Sequence, residues 1–412
     1  MRNIRILAAV GLILLMLFIV GCNSGHDFDH QLNTVTKPYR FSIAGWEFNT
    51  FLEKTKQLFI HKNKSTQTDV AITNQYISLS NQINDLKGQI NADNQSELQS
   101  RIDILQKQQN DLTGPVEDII KRQVTQILSE MGIYQPWYKY VKLKSTFPPP
   151  DFKLEIPPHL LVISPRDKID RMKDVLLNEN MSLPEITNLE TNVDNLNVSS
   201  LVVDLGGVGT YPNIVSSDSD FQYIIETCAH EWAHTYLAFT PLGFRYVLNI
   251  AGLSHNDDIT TMNETVSDII GKEVGAAVLK KYYPQFQSNS QTVQTNSATT
   301  VNQPVFNFNQ EMQNIRKQVD KYLAAGEIDT AKQYMQQKQE YLAANGYYIR
   351  KLNQAYFAFY GTYADSPAYE NPIGTEIKQL RTKSASLKDF LNTVSSMTSV
   401  KNLNSALNRI IG

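Results

Sequence analysis

Histidine, cysteine and charged residues are all scarce in this chain. Its 412 residues include seven histidines, two cysteines and 19% charged residues, so amides and hydroxyls must supply much of the polar surface. The formal net charge of −3 lacks the basic excess with which proteins bind nucleic acid, and we expect no nucleic-acid partner. Apolar residues make up 42% of the chain, which is typical of a globular protein and excludes a disordered one.

The N-terminal residues combine a positive start with a short apolar run. Two arginines accompany an unbroken apolar stretch over 6–20, which is too short for a full membrane span and typical of a signal peptide. The residues up to Cys22 resemble a bacterial lipobox, whose cysteine is lipidated and becomes the new N-terminus. We expect a lipoprotein signal over 1–22, a polar tether over 23–40, and attachment to the extracytoplasmic face of a bacterial envelope membrane. An uncleaved signal anchor is the alternative and predicts the same side of the membrane.

The two cysteines are Cys22 and Cys228. A lipid on Cys22 would leave no thiol with which Cys228 could form a disulfide within one chain. Cys228 lies two residues before His230, and a zinc ligand would need a different spacing. We therefore interpret Cys228 as a small buried residue of a helix.

Beyond this segment, both ends of the chain show helical periodicity. Over 41–150, apolar residues recur at spacings of three and four, and a short run of turn-forming residues interrupts them. This pattern predicts an antiparallel helical hairpin over 74–112, followed by a third helix from Pro115 to Met131. A polar stretch over 286–304 predicts a flexible linker, after which helical patterns predict a C-terminal helical domain over 305–412.

The middle of the chain mixes strand and helix patterns. Short β-type runs occupy 159–164 and 199–205, a helical stretch over 166–180 lies between them, and a glycine-rich segment follows. The sequence therefore predicts an α+β fold that is mostly helical. In this fold a core over 151–285, with a small mixed sheet, is framed by helical regions at both ends.

The pattern His-Glu-x-x-His stands at residues 230–234, within a largely apolar segment. On a helix, residues four apart lie on one face, so His230 and His234 can share one metal ion. Glu231 then lies at the edge of the same site and can take a proton from a water on the metal without being a ligand. Because histidine is scarce here, the pattern favours a catalytic zinc site over a helix with two hydrogen-bonded histidines.

A catalytic zinc ion needs a third protein ligand, and carboxylates downstream can supply it. Glu264 follows the second histidine by thirty residues, and Asp268 follows Glu264 by four, so both carboxylates lie on one helix face. One of them can bind zinc while the other accepts a hydrogen bond from the free N–H of a ligating histidine. His255 and the two aspartates at 257–258 are the rival ligands.

Together, the His-Glu-x-x-His segment and the segment Asn263-Glu264-x-x-Ser267-Asp268 resemble the gluzincins, the thermolysin-like clan of zinc peptidases. The resemblance covers about 220–276 and implies a zincin-like core, in which a small mixed sheet packs on the helix that carries the two histidines. It implies that Glu264 is the third ligand of one Zn²⁺ and that Asp268 orients His230. It also places Asn263 among the groups that support the ligands.

The same resemblance implies a tyrosine or histidine from the C-terminal helical region that stabilises the oxyanion of the reaction. Tyrosines recur at helical spacing here, and we predict Tyr360 for this role, with Asn353 on the same stripe as a substrate-binding residue. An amphipathic helix that packs its aromatic residues is the alternative. The glycines around Gly207 would let a substrate backbone pair with a strand edge, and a turn or bulge is the alternative there.

These patterns predict a membrane-anchored zinc metallopeptidase that acts on a peptide or protein substrate outside the cytoplasm. His230, His234 and Glu264 would hold the zinc, and Glu231 would act as the general base. Two alternatives stay open. One is an inactive envelope scaffold or binding lipoprotein with a zincin-like core, and the other is a zinc hydrolase for a non-peptide bond.

Overall fold

A computed structural model of the chain describes residues 26–43, 45–47, 50, 66–90, 94–138, 140, 142–254, 256–286, 306–363, 366 and 372–411. The signal segment over 1–22, all but the first residue of the linker over 286–304, and His255 lie outside the described residues. The described part is mostly helical and contains two small sheets, which confirms the α+β class.

In the described part of the chain, three α-helices with defined bounds precede the first strand, and a 3-10 helix (Lys37–Tyr39) follows the first of them. The three α-helices are α1 (His26–Thr36), α2 (Thr66–Gly88) and α3 (Gln95–Glu130). The predicted hairpin is confirmed, because α2 and α3 pack along each other. The predicted third helix is wrong, because α3 continues through Pro115 without a break. The residues after Pro115 are buried in the main core, and this packing outweighs the one backbone hydrogen bond that a proline removes.

Helix α1 lies in the segment that the sequence suggested to be a polar tether over 23–40. Its Leu32 is fully buried among residues of a sheet and of a neighbouring helix. Burial of a leucine side chain contributes about 1.5–3 kcal/mol, so this part of the segment is a folded element of the protein.

Six strands form two sheets of three in the described part of the chain. The strands are β1 (Phe152–Glu155), β2 (His159–Pro165), β3 (Lys173–Leu177), β4 (Val198–Val203), β5 (Gly207–Val208) and β6 (Asn213–Ser216). One sheet is antiparallel, in the order β3-β2-β4. The other is mixed, in the order β1-β6-β5, with β1 parallel and β5 antiparallel to β6. The helix predicted over 166–180 is wrong, since pairing with β2 draws its second half into β3.

Ten further helices follow β3 in the described residues. They are α4 (Leu183–Asp194), α5 (Phe221–Leu237), α6 (Pro241–Ile250), α7 (Asp257–Tyr282), α8 (Phe308–Ala324), α9 (Ile328–Ala344), α10 (Gln354–Tyr360), α11 (Ile373–Lys383), α12 (Leu387–Val394) and α13 (Val400–Ile411). None of the described helices is both long enough and apolar enough to cross a bilayer.

The antiparallel sheet is covered on both faces. Along β2, Leu161 and Ile163 pack on the side of α1 and α4, whereas Leu160 and Val162 pack on the side of α10. This alternation follows from the two-residue period of a strand. This packing holds α10 against the antiparallel sheet.

The largest core surrounds α5 and α7, which pack along each other. Residues of α2, α3, α6 and α11–α13 and of strands β1 and β6 complete this core. Helices α8 and α9 instead enclose a separate cluster together with part of α10. The described helices of the region over 305–412, predicted as one C-terminal domain, therefore contribute to three hydrophobic clusters.

Candidate metal centre

The His-Glu-x-x-His segment lies in the second half of α5. This helix begins after Asp220, whose carboxylate accepts a hydrogen bond from the amide of Tyr223 at 3.0 Å. Trp232 is fully buried in the main core and fixes the rotation of the helix about its axis. His230 and His234, two residues before and after it, consequently point away from that core face.

Helix α7 brings two carboxylates to these histidines. Asn256 caps its start with a side-chain hydrogen bond to a backbone amide of the first turn, at 3.1 Å. Helices α5 and α7 approach closely at Gly271, where a Cβ would lie 2.8 Å from a backbone oxygen of α5 and 3.1 Å from Cβ of His230. Asp268 and Glu264 lie about one and two turns before Gly271, opposite the histidines.

Three ligand atoms meet between the two helices. The Nε2 atoms of His230 and His234 are 3.0 Å apart, and Oε2 of Glu264 lies 3.6 Å and 3.5 Å from them, respectively. A tetrahedral zinc ion with bonds of about 2.0–2.1 Å separates its ligand atoms by about 3.3 Å. The three atoms therefore have the spacing that one zinc ion requires, and two imidazoles with a carboxylate are donors that zinc prefers.

The Nδ1 atom of each imidazole forms a hydrogen bond that determines which ring nitrogen carries the proton. Nδ1 of His230 is 3.0 Å from Oδ1 of Asp268, and Nδ1 of His234 is 2.6 Å from Oδ1 of Asn263. Because both oxygens are acceptors, each Nδ1 carries the hydrogen and each Nε2 keeps its lone pair. Two lone pairs and a carboxylate oxygen then point at one another, and a positive charge between them, either a metal ion or a proton on one Nε2, removes this repulsion.

The pKa shifts of the cluster have the direction that a cation site produces. Burial lowers the pKa of His230, but hydrogen bonds to Asp268 and Glu264 outweigh burial and raise that pKa well above its usual value. Burial raises the pKa of Glu264, yet the two histidines bring it well below its usual range. Both shifts mean that the cluster stabilises positive charge at its centre.

Glu231 is buried between these ligands and strand β5, with 7% of the residue exposed. Burial raises the pKa of its carboxyl group, and the two neighbouring histidines offset part of this effect. A Cβ at Gly207 would lie 2.6 Å from Oε1 of Glu231, and a Cβ at Gly209 would lie 3.3 Å from Oε2. Residue 207 must therefore be glycine for strand β5 to pass this close to the carboxylate. The structure places Gly207, which the sequence predicted to bind substrate, next to Glu231.

Two tyrosines that the sequence patterns did not single out also belong to the site. The phenol of Tyr246, on α6, donates a hydrogen bond of 2.7 Å to Oε1 of Glu264. Burial raises the pKa of Tyr363 well above its usual value, and the nearby charges of Glu264, Asp268 and Glu231 raise it further. Tyr246 carries no sequence signal, whereas Tyr363 belongs to the aromatic run that contains Tyr360.

The side chain of Tyr360 points to another part of the molecule. Its ring packs on Tyr356, with centroids 4.5 Å apart, and the charged groups near its phenol are Asp204 and Arg350. Helix α10 ends at Tyr360, so the helical spacing that favoured this residue does not continue to Tyr363. Of the two tyrosines, Tyr363 is the one whose phenol is affected by the charges of Glu264, Asp268 and Glu231.

Asn353 caps α10 and ties it to the antiparallel sheet. Its Oδ1 accepts a hydrogen bond from the Tyr356 amide at 3.0 Å, and its Nδ2 donates one of 2.8 Å to the Ser200 carbonyl. Both ends of the amide are therefore used within the fold, which gives Asn353 a structural role in place of the predicted substrate-binding one.

The two rival aspartates and the second cysteine do not belong to the group of three ligand residues. Asp257 and Asp258 form the exposed first turn of α7, and they are not part of the one metal-type cluster found among the described residues. Cys228 is a free, buried thiol in the main core, as expected, and burial raises its pKa well above the usual value.

Comparison with known proteins identifies no relative of this chain. No family model, no curated protein and no solved structure matches the chain. A functional conclusion has to follow from the residues of the site and from their arrangement.

Proposed function

We propose that this protein is a zinc metallopeptidase of the gluzincin type, anchored to a membrane by its N-terminus and active outside the cytoplasm. The cluster of His230, His234 and Glu264 carries this proposal, since its three ligand atoms lie 3.0–3.6 Å apart, the spacing that one zinc ion requires. Glu231 supports catalysis over simple metal storage. Burial of a carboxylate that binds no metal destabilises the fold, so the burial of Glu231 favours a functional role for this residue.

The residues of the site divide the chemistry among themselves. Zinc, when bound, supplies a Lewis acid that polarises water and the scissile carbonyl. Glu231 accepts the proton that the attacking water loses and delivers it to the leaving amine nitrogen. Its raised pKa suits both transfers, because a group that titrates closer to neutrality takes up and releases protons with similar ease. Asp268 and Asn263 keep each imidazole in the tautomer with a free Nε2.

Tyr363 is our candidate for the hydrogen-bond donor that stabilises the oxyanion. Its raised pKa keeps the phenol protonated, so the hydroxyl can donate at neutral pH. The chain after α10 carries it, and α10 is held against the antiparallel sheet by Phe359. This arrangement transfers the role predicted for Tyr360 to a neighbour three residues further along the chain.

The mixed sheet supports the proposal of a zincin-like core. Strand β5 contacts α5 above Glu231 and, among the described residues, pairs on one side only, with β6. A substrate backbone that paired with the other side of β5 would lie beside Gly207, whose backbone closely approaches Glu231. This geometry favours an extended peptide as substrate.

Metal analysis and peptide cleavage on the full-length protein in detergent test the proposal. We expect about one zinc per chain and cleavage of a peptide library that stops when a chelator is added. Glu231→Gln should keep the zinc and lower kcat about 10²- to 10⁴-fold, because only the proton transfers are removed. Glu226→Gln is the matched control on the same helix, since Glu226 bonds Gln222 outside the cluster, and it should hydrolyse peptides at the wild-type rate.

Each arm of this experiment has an outcome that contradicts the proposal. A protein without zinc would reject the metal site, and equal turnover by Glu231→Gln would remove that residue from the mechanism. Cleavage of esters but not of peptides would indicate the non-peptide hydrolase instead. The membrane anchor is tested separately, because Cys22→Ser should abolish lipid labelling of the protein.

A further inference from the structure

Helix α6 is built tightly onto the end of α5. Thr240 caps it and accepts a hydrogen bond from the Gly243 amide at 3.4 Å. A Cβ at Gly243 would lie 2.1 Å from the carbonyl oxygen of Leu237, so the two helices touch backbone to backbone. The first turn of α6 is thereby fixed, and Tyr246 follows it by less than one turn.

Tyr246 contacts two of the three residues that would bind zinc. Its hydroxyl donates a hydrogen bond of 2.7 Å to Oε1 of Glu264. Its ring stacks on the imidazole of His234, with ring centroids 5.3 Å apart and planes 14° from parallel. No other tyrosine in the described part of the chain makes a hydrogen bond to a residue of the cluster.

The hydrogen bond separates the two oxygens of the Glu264 carboxylate. Oε2 is the oxygen that faces His230 and His234, at 3.6 Å and 3.5 Å. Oε1 accepts from Tyr246. A carboxylate can bind a metal through one oxygen or through both, and a second bond from Oε1 would fill the position that a catalytic zinc site leaves open.

We propose that Tyr246 is a positioning residue that restricts Glu264 to binding zinc through one oxygen and so keeps one coordination position free for the reaction. This inference rests on the proposed zinc site. The proposal also assigns a function to α6, because this helix holds the phenol of Tyr246 next to Oε1 of Glu264. A residue that only packed against His234 would need the ring and not the hydroxyl.

Tyr246→Phe separates these two roles, because it keeps the stacked ring and removes the donor. In the full-length protein we expect a zinc affinity within about threefold of wild type and a kcat about 10- to 100-fold lower, the range found when groups that support metal ligands are changed. With Co²⁺ in place of zinc, the visible absorption should weaken in the variant, since cobalt absorbs less strongly as its coordination number rises.

Tyr283→Phe is the matched control. Tyr283 is fully buried in the same core, and its hydroxyl bonds Thr73 and Gln123, away from the cluster. It should lower the melting temperature and leave kcat and the cobalt spectrum unchanged.

The outcomes distinguish this inference from the proposed function. Wild-type protein that binds neither zinc nor cobalt would overturn both. Wild-type protein that binds zinc, combined with an unchanged kcat and an unchanged cobalt spectrum in Tyr246→Phe, would overturn the role of Tyr246 alone. A large loss of zinc from Tyr246→Phe would also overturn it, because the phenol would then be needed to hold the metal. If no peptide substrate is found, the cobalt spectrum still decides.

Discussion

Glu117 on α3 and Glu264 on α7 are both buried carboxylates, with 3% and 4% of the residue exposed, but their partners differ. Oε2 of Glu117 lies 3.4 Å from Nζ of Lys153 and 4.0 Å from Nζ of Lys121, and its Oε1 accepts the Leu154 amide at 2.8 Å. Oε2 of Glu264 faces two imidazole nitrogens instead. The first carboxylate is paired with lysine ammonium groups, whereas the second faces imidazole nitrogens that can bind either a proton or a metal ion.

The difference indicates what each cluster is for. Burial raises the pKa of Glu117, and two lysines offset part of that effect, so the group is compensated within the fold. In the cluster of Glu264, the Nε2 atoms of both histidines face the carboxylate, and their Nδ1 atoms form hydrogen bonds with Asp268 and Asn263. The charge of Glu117 is thus balanced by lysines of the chain, whereas under the proposed function the charge of Glu264 would be balanced by a bound cation.

The largest expected effect is a loss of folding stability when Glu117 loses its charge. Glu117→Gln should lower the free energy of unfolding by about 3–5 kcal/mol, because it leaves Lys153 buried without its counter-charge. Zinc content should remain about one per chain, since no residue is shared between the two clusters. Urea denaturation and metal analysis measure both quantities.

Glu130→Gln is the control at the C-terminal end of the same helix. Glu130 forms an exposed ion pair with Lys281 that solvent screens, so its loss should leave the urea denaturation midpoint close to that of wild type. Loss of zinc from Glu117→Gln in the folded state would mean that the two clusters are coupled, contrary to the comparison.

Removal of zinc is the second test and should act on one cluster only. With free zinc at a hundred times its Kd, binding stabilises the native state by about 2.7 kcal/mol, and a chelator should remove that amount. Glu117→Gln should lose the same amount as wild type, because effects at separate sites add. His234→Ala lacks a ligand, and its denaturation midpoint should not respond to the chelator. A chelator effect in His234→Ala would show that the stabilising metal is bound elsewhere.

The sequence was sufficient to predict which side chains meet at the candidate metal centre, because each pair lies on a single helix. His230 and His234, like Glu264 and Asp268, are four residues apart, and helical periodicity alone places such residues on one face. The meeting of the two helices depends on close packing at Gly271, which spacing does not reveal. The same periodicity failed at Tyr360, because α10 ends there.

Long-range contacts account for what the sequence did not predict. The two β-type runs and the helical hairpin were recognisable, because their patterns are local. The stretch over 166–180 carries a helical pattern, and only pairing with β2 makes its second half a strand. Likewise, Pro115 normally ends a helix, and only burial in the main core carries α3 past it. Tyr246 acts through α6, whose place against α5 is set by tertiary packing.

The smallest expected effect concerns Asp268 and Asn263, which accept hydrogen bonds from the Nδ1 atoms of the two histidines. His230 is held by the carboxylate of Asp268, whereas His234 is held by the amide of Asn263. Asp268→Asn preserves the shape and an acceptor but removes the negative charge, so we expect zinc to bind about tenfold more weakly, the lower end of the range for such groups. Competition with a coloured chelator measures this affinity.

Asn263→Asp is the reciprocal change, and it adds the charge that Asp268→Asn removes. If charge on the outer partner strengthens the imidazole as a ligand, zinc should bind more tightly to Asn263→Asp, and the double variant should bind it about as tightly as wild type. If geometry alone matters, neither single variant will differ from wild type. In that case Asp268 would only orient His230, and the contrast with the Glu117 cluster would rest on the three ligand atoms without help from the charges behind them.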